Sequence, residues 1–163
     1  MFLEEMQSQP PHRVKGTAVF LASNPEGTPI ALMHNLKHNQ VLHEQVVILT
    51  IQTAEVPHVS PEERLDLRDL GLGFHRVIGR FGFMDDPDVP TVLAACKNEG
   101  LELQPERTTF FLSRETIIAS RRSGLAAWRE RLFALMSRNA QGPTAFFRLP
   151  PNRVVELGMQ IEI

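Results

Sequence analysis

VKGTAVFLA (Val14–Ala22), SNPEGTP (Ser23–Pro29) and VVILTIQTA (Val46–Ala54) decide how this chain folds. The first and third are apolar, β-branched runs with a single charge between them, Lys15. Such runs suit strands covered on both faces, as strands of a parallel sheet are. SNPEGTP is a turn cluster. Thr28 is positioned to cap a helix whose first residue is Pro29, where a missing N–H costs little. Leu32, Met33 and Leu36 then form one helical stripe ending near Asn39. Strand, helix and strand in succession favour parallel pairing through a right-handed crossover.

Outward from this unit, Glu55–Gly73 reads as a long polar connection. Phe74–Met84 reads as a third strand with Val77, Phe81 and Phe83 on one face. Asp86 and Pro87 look like a cap and first turn, followed by Val89, Val92, Leu93 and Cys96 at helical spacing. Gly100 then stands at the C′ position. Thr108–Ile118 is a fourth strand. Leu125, Trp128, Leu132, Leu135 and Met136 mark a third helix. Val155, Leu157, Met159, Ile161 and Ile163 alternate as a fifth strand with one solvated face. The pattern predicts a single α/β or α+β domain with a five-stranded mixed sheet and about three helices. A ferredoxin-like βαββαβ core with an added helix and strand is the alternative. Residues 1–13 are expected to be a lead-in and 14–163 the domain.

Composition narrows the class. A chain of 163 residues with 42% hydrophobic and 22% charged residues has a core of single-domain size and is not disordered. A net charge of −2 argues against nucleic acid as a partner. The lone cysteine, Cys96, excludes an internal disulfide and fits a reducing compartment. The longest apolar run, Val46–Ile51, falls far short of the roughly 20 residues that span a bilayer. Residues 1–9 carry Glu4 and Glu5 and do not resemble a signal peptide. Charge is unevenly placed: the balance is −7 up to Glu106 and +5 from Arg107 onward, where every basic residue is arginine.

Motifs for chemistry are sparse. His34 and His38 lie four apart with His43 nearby, but no further ligand completes a metal set, and they read as a polar helix face. No G-x-S-x-G, Walker loop or strand-borne G-x-G-x-x-G occurs. Gly71 and Gly73 read as turn glycines, Cys96 as a small buried hydrophobe and Trp128 as core. Asp85, Asp86 and Asp88 suit capping at a helix start, with a divalent-cation site as the weaker reading. Arg121 and Arg122, with Arg131 and Arg138, form a candidate phosphate- or partner-facing patch. The SNPEGTP loop is the best candidate ligand site. It leaves a buried strand for a helix N-terminus, where ligands of α/β sheets sit and free N–H groups suit anions.

The stretches GTAVFLASNPEGTPIALMHNLKHNQVLHEQVVILTIQT (Gly16–Thr53), RFGFMDDPDVPTVL (Arg80–Leu93), FFLSRETII (Phe110–Ile118), WRERLFALMSRNA (Trp128–Ala140) and PPNRVVELGMQIEI (Pro150–Ile163) together resemble the cytosolic C-terminal domain of bacterial Kup-type potassium transporters, the KUP/HAK/KT family. The resemblance runs through nearly the whole chain, and none of its motifs is catalytic. It implies a regulatory and assembly domain, not an enzyme, of a potassium:proton symporter. The lead-in Phe2–Pro11 would follow the last membrane helix. The expected partners are the transmembrane part of the same transporter and a second copy, at the cytoplasmic face of the bacterial inner membrane. A freestanding cytosolic nucleotide-binding sensor is the alternative, and an enzyme with an unrecognised site is the remaining one. No obligate cofactor or metal is expected. The resemblance suggests a regulatory nucleotide such as cyclic di-AMP, held by Ser23, Asn24, Gly27 and Thr28. Gly27 would let a phosphate approach the backbone, the helix would supply a positive dipole end, and Arg121 or Arg122 would supply charge.

Overall fold

The computed structural model describes residues 10–118 and 147–162. Its elements run β1 (His12–Leu21), α1 (Ile30–Asn39), β2 (Val41–Ala54), β3 (Leu65–Gly71), β4 (Phe74–Gly82), α2 (Val89–Cys96), β5 (Thr108–Ile118) and β6 (Val154–Glu162). The expected mixed α/β sheet is present, with six strands in the order β3-β4-β2-β1-β5-β6. Every neighbouring pair is parallel except the β3–β4 hairpin at one edge. A ferredoxin-like core would separate β1 from β2, whereas here they pair directly from His12↔Val41 to Leu21↔Leu49.

The sixth strand is β3, inside the stretch expected to be a connection. Leu65 and Leu67 pack against the core while Arg68 and Asp69 stay exposed. At an edge one covered face is enough, so a charged segment still pairs. Gly71 and Gly73 are the hairpin-turn glycines expected, at φ 80° and 77° around Leu72 at 55°. A Cβ on Gly73 would overlap the Glu44 carbonyl oxygen, so both geometry and space require glycine there. The expected third helix lies outside the described residues.

The β1–α1–β2 and β4–α2–β5 crossovers run in opposite directions across the sheet, and right-handedness in both puts the two helices on opposite faces. Along the strands, residues alternate between the two cores. Ala18, Phe20, Val46, Ile48, Phe74 and Phe111 pack with Leu32 of α1. Val19, Leu49, Val77, Phe81, Phe110 and Leu112 pack with Val89, Val92 and Cys96 of α2. Phe20 and Phe111 stack at 4.6 Å between ring centroids. Cys96 is fully buried with Sγ 3.3 Å from the Val92 carbonyl, and burial pushes its thiol up to about 11.

Both helix starts differ from expectation. Pro29 is extended and occupies the N-cap of α1, so Thr28 falls one residue too early and no side chain caps the helix. Helix α2 begins at Val89 with Asp88 as N-cap and Pro90 in the first turn, two residues past the expected Asp86 cap. It runs into a 3₁₀ turn, Lys97–Glu99, which Gly100 ends in the left-handed region. Phe83 lies beyond β4 and is 60% exposed, not part of the strand's inner face.

The start of β1 is anchored by Arg13. Its Nη1 donates to the His43 carbonyl at 2.8 Å and its Nη2 to the Leu72 carbonyl at 2.9 Å. Its guanidinium lies 5.3 Å from the centre of the Phe74 ring. One side chain therefore ties β1, β2 and the β3–β4 turn together.

Candidate functional site

Among the parallel strands the order reverses at β1, where β2 lies to one side and β5 to the other. The connection leaving β1 crosses toward β2 through α1, and the one leaving β4 crosses the opposite way through α2 to β5. The carboxyl end of β1 lies at that reversal, the position at which open α/β sheets bind ligands. A cavity of about 340 Å³ opens there, lined by Leu21, Ser23, Leu49, Ile51, Leu112 and Ser113 among others. Its described walls are apolar, Phe147 included, with the hydroxyls of Ser23 and Ser113 as side-chain polar groups. Among the described residues no charged or titratable side chain lines it. The arrangement can bind a small, largely apolar group and orient it through hydroxyls and backbone.

Of the four expected loop residues, only Ser23 reaches this cavity. Asn24 is spent on its own turn: its Oδ1 accepts from the Glu26 N–H at 3.0 Å and its carbonyl from the Gly27 N–H at 3.3 Å. Gly27 does not have a positive φ, and a Cβ there would touch only the Asn24 side chain. Thr28 caps nothing. Arg121 and Arg122 lie outside the described residues.

The loop is held by a residue that was not singled out. Arg76 of β4 donates Nη1 to the Pro25 carbonyl and Nη2 to the Gly27 carbonyl at 3.3 Å, with Glu26 Oε2 3.8 Å from Nη1. Its side chain is largely covered. The loop thus turns carbonyls toward a buried cation. Nothing in the local sequence signals this, because the two residues meet only after β4 pairs with β2. Ser113 escaped notice for the same reason: its position matters only once β5 lies beside β1.

Within the acidic run only Asp88 stands at the helix N-cap, and Asp85 has a different role. Asp85 Oδ2 accepts from the Gly82 N–H at 2.8 Å and the Val59 N–H at 3.1 Å, with Arg64 Nη2 at 3.5 Å. Its Oδ1 meets His58 Nδ1 at 2.6 Å. The His58 bond, then the two backbone amides, hold this carboxyl well below the usual range. Asp86 instead pairs with Arg148 at 3.2 Å, and Asp88 accepts from the Thr91 hydroxyl. Among the described residues no three His, Cys, Asp or Glu side chains gather as metal ligands. His34 and His38 stack face to face at 5.6 Å on α1.

Residues 15–163 match the family described as K+ potassium transporter C-terminal domain. The probable potassium transport system protein Kup of Myxococcus xanthus (strain DK1622) is 56% identical, over 100% of this chain and 25% of its own length. Its namesake from Pseudomonas aeruginosa (strain LESB58) is 55% identical, over 100% of this chain and 26% of its own. Kup 1 of Geobacter sulfurreducens is 55% identical, over 99% and 26%. The chain spans about a quarter of the length of these curated relatives. No solved structure matches it. Among the described residues no helix is long and apolar enough to cross a membrane.

Proposed function

Because this chain belongs to the K+ potassium transporter C-terminal domain family, we propose that it is the regulatory and assembly domain of a potassium uptake transporter. In this reading the remaining three quarters of the protein carries potassium inward by symport with protons. The domain sits at the cytoplasmic face of the bacterial inner membrane. The observation that carries the reading is the alignment of the whole chain with one quarter of proteins named for potassium transport. The domain is not an enzyme in this reading, which the naming of its relatives for potassium transport supports. It acts by binding its own membrane part and a second copy, for which β6, at the end of the sheet, offers an edge.

The test is uptake in a potassium-transport-deficient strain. The full transporter should restore growth at low potassium, and removal of this domain should change its regulation or assembly. This chain alone should restore nothing, since conduction needs a dehydrating path across hydrocarbon. Restoration by the chain alone overturns the proposal.

The cavity favours a second, compatible layer: a regulatory nucleotide whose base enters between Ser23 and Ser113. Calorimetry with a nucleotide panel tests it, with Ser113→Leu as the variant that fills the cavity. If nothing binds below about 1 mM, near −4 kcal/mol, the domain works through protein contacts alone. A freestanding nucleotide sensor is distinguished by a reading frame with no membrane-spanning segments upstream.

A further inference from the structure

A cavity larger than the one at the switch point lies elsewhere. It is a groove of about 580 Å³ at the far edge of the sheet, separated from β1 by β4 and β2. Its floor is aliphatic, formed by Val56, Leu65 and Leu67, with Val56 46% exposed. Its rim carries Glu62, Glu63 and Glu99. Asp66 and Arg80 also line it but face each other at 3.5 Å, and Asp66 has a second partner in Arg68 at 3.1 Å. Among the described residues no cation pairs with Glu62, Glu63 or Glu99. The one contact is a hydrogen bond from the Ser60 hydroxyl to Glu63 at 3.2 Å.

One wall of the groove, the loop 55–64, is held rigidly. Phe83 N–H donates to the Val56 carbonyl at 2.9 Å and Met84 N–H to that of Pro57 at 3.0 Å. Asp85 binds Val59 and His58 from beneath, and Arg64 lies over the Phe81 ring at 5.1 Å. The rim carboxylates are therefore presented on a fixed frame, which lowers the ordering cost of any association.

We propose that this groove docks a Lys- or Arg-bearing amphipathic polypeptide segment. Long basic side chains lay their methylene stems on apolar surface and extend their charged heads beyond it. An aliphatic floor below three carboxylates that have no cationic partner among the described residues complements that chemistry on both counts. A bare metal ion does not fit, because the rim carboxylates do not converge as ligands. An acidic segment is repelled. The groove and its occupant are independent of the switch-point cavity, so a failed nucleotide titration leaves this proposal standing.

The test is a titration of the isotope-labelled chain with a short amphipathic Leu/Lys peptide and with its Leu/Glu counterpart. Binding of the Leu/Lys peptide alone is expected. Amide shifts should centre on residues 54–67, 80 and 99, and added salt should weaken the affinity. The combined variant Glu62→Gln, Glu63→Gln and Glu99→Gln should weaken binding at least about tenfold. Glu106→Gln, on a turn outside the groove, should leave it unchanged. Circular dichroism verifies the fold of both variants. Equal binding of the two peptides, shifts centred elsewhere, an unaffected triple variant, or no binding at high micromolar peptide each overturns the proposal. So does appearance of the same shifts on concentrating the protein without peptide, which would make a second copy the occupant.

Discussion

Replacing Gly82 with alanine should destabilise the domain by about 2–4 kcal/mol. Gly82 closes β4 where the loop 55–64 crosses, and a Cβ on it would overlap the Pro57 carbonyl and the His58 nitrogen. Both neighbours are backbone, so no side chain can rotate away. Relief requires the loop to lift, which stretches the Phe83–Val56 and Met84–Pro57 hydrogen bonds. Those are worth about 1 kcal/mol each, and overpacking adds about 1–3 kcal/mol. Loss of the glycine's unfolded-state freedom returns about 0.4–1 kcal/mol. For a chain of this length the net effect lowers Tm by about 5–15 °C. Gly158→Ala on β6 is the matched control, since no atom lies within 4 Å of a Cβ there. It should be neutral or slightly stabilising. Thermal and denaturant unfolding of the two variants beside the parent is the assay. If Gly82→Ala stays within about 0.5 kcal/mol of Gly158→Ala, the close crossing is not a constraint and the reasoning fails.

Phe20→Ala should cost about 3–5 kcal/mol by denaturant unfolding, because Phe20 is fully buried and stacked on Phe111. His43 has a buried Nδ1 without a hydrogen-bond partner, and burial lowers its affinity for a proton. Its stabilising contribution is therefore complete above the unfolded value of about 6.5 and is lost as pH falls from there toward the lower folded value. His43→Gln should flatten that part of the stability–pH curve, and parallel parent and variant curves would refute the assignment. Cys96 should resist a thiol-disulfide reagent at pH 8 until the chain is unfolded, since burial keeps it protonated. Rapid native-state labelling would contradict this.

How much of this was legible depended on where the information lay. The β1–α1–β2 unit could be read locally because both strands are covered on two faces and so carry unbroken apolar runs. β3 escaped because Asp66, Arg68 and Asp69 make up much of its seven residues, and an edge strand needs only alternate leucines. The candidate site divided along the same line. That the loop after β1 stands at the carboxyl end of a central strand followed from its place between strand and helix. Its true partners did not: Arg76 reaches it across 51 residues of sequence, and Ser113 arrives only through strand order. Asp85 looked like a cap because an acidic residue before a helix usually is one. Here the turn 82–85 directs it back onto the neighbouring loop instead.

The position of β1 also has a mechanical consequence. It is flanked by parallel neighbours on both sides, and Arg13 staples its first residues to β2 and to the β3–β4 turn. Tension applied along the chain at His12 therefore loads two ladders of hydrogen bonds in shear at once, rather than unzipping an edge one bond at a time. A pull transmitted through His12 is therefore borne by the middle of the sheet, not by its edge.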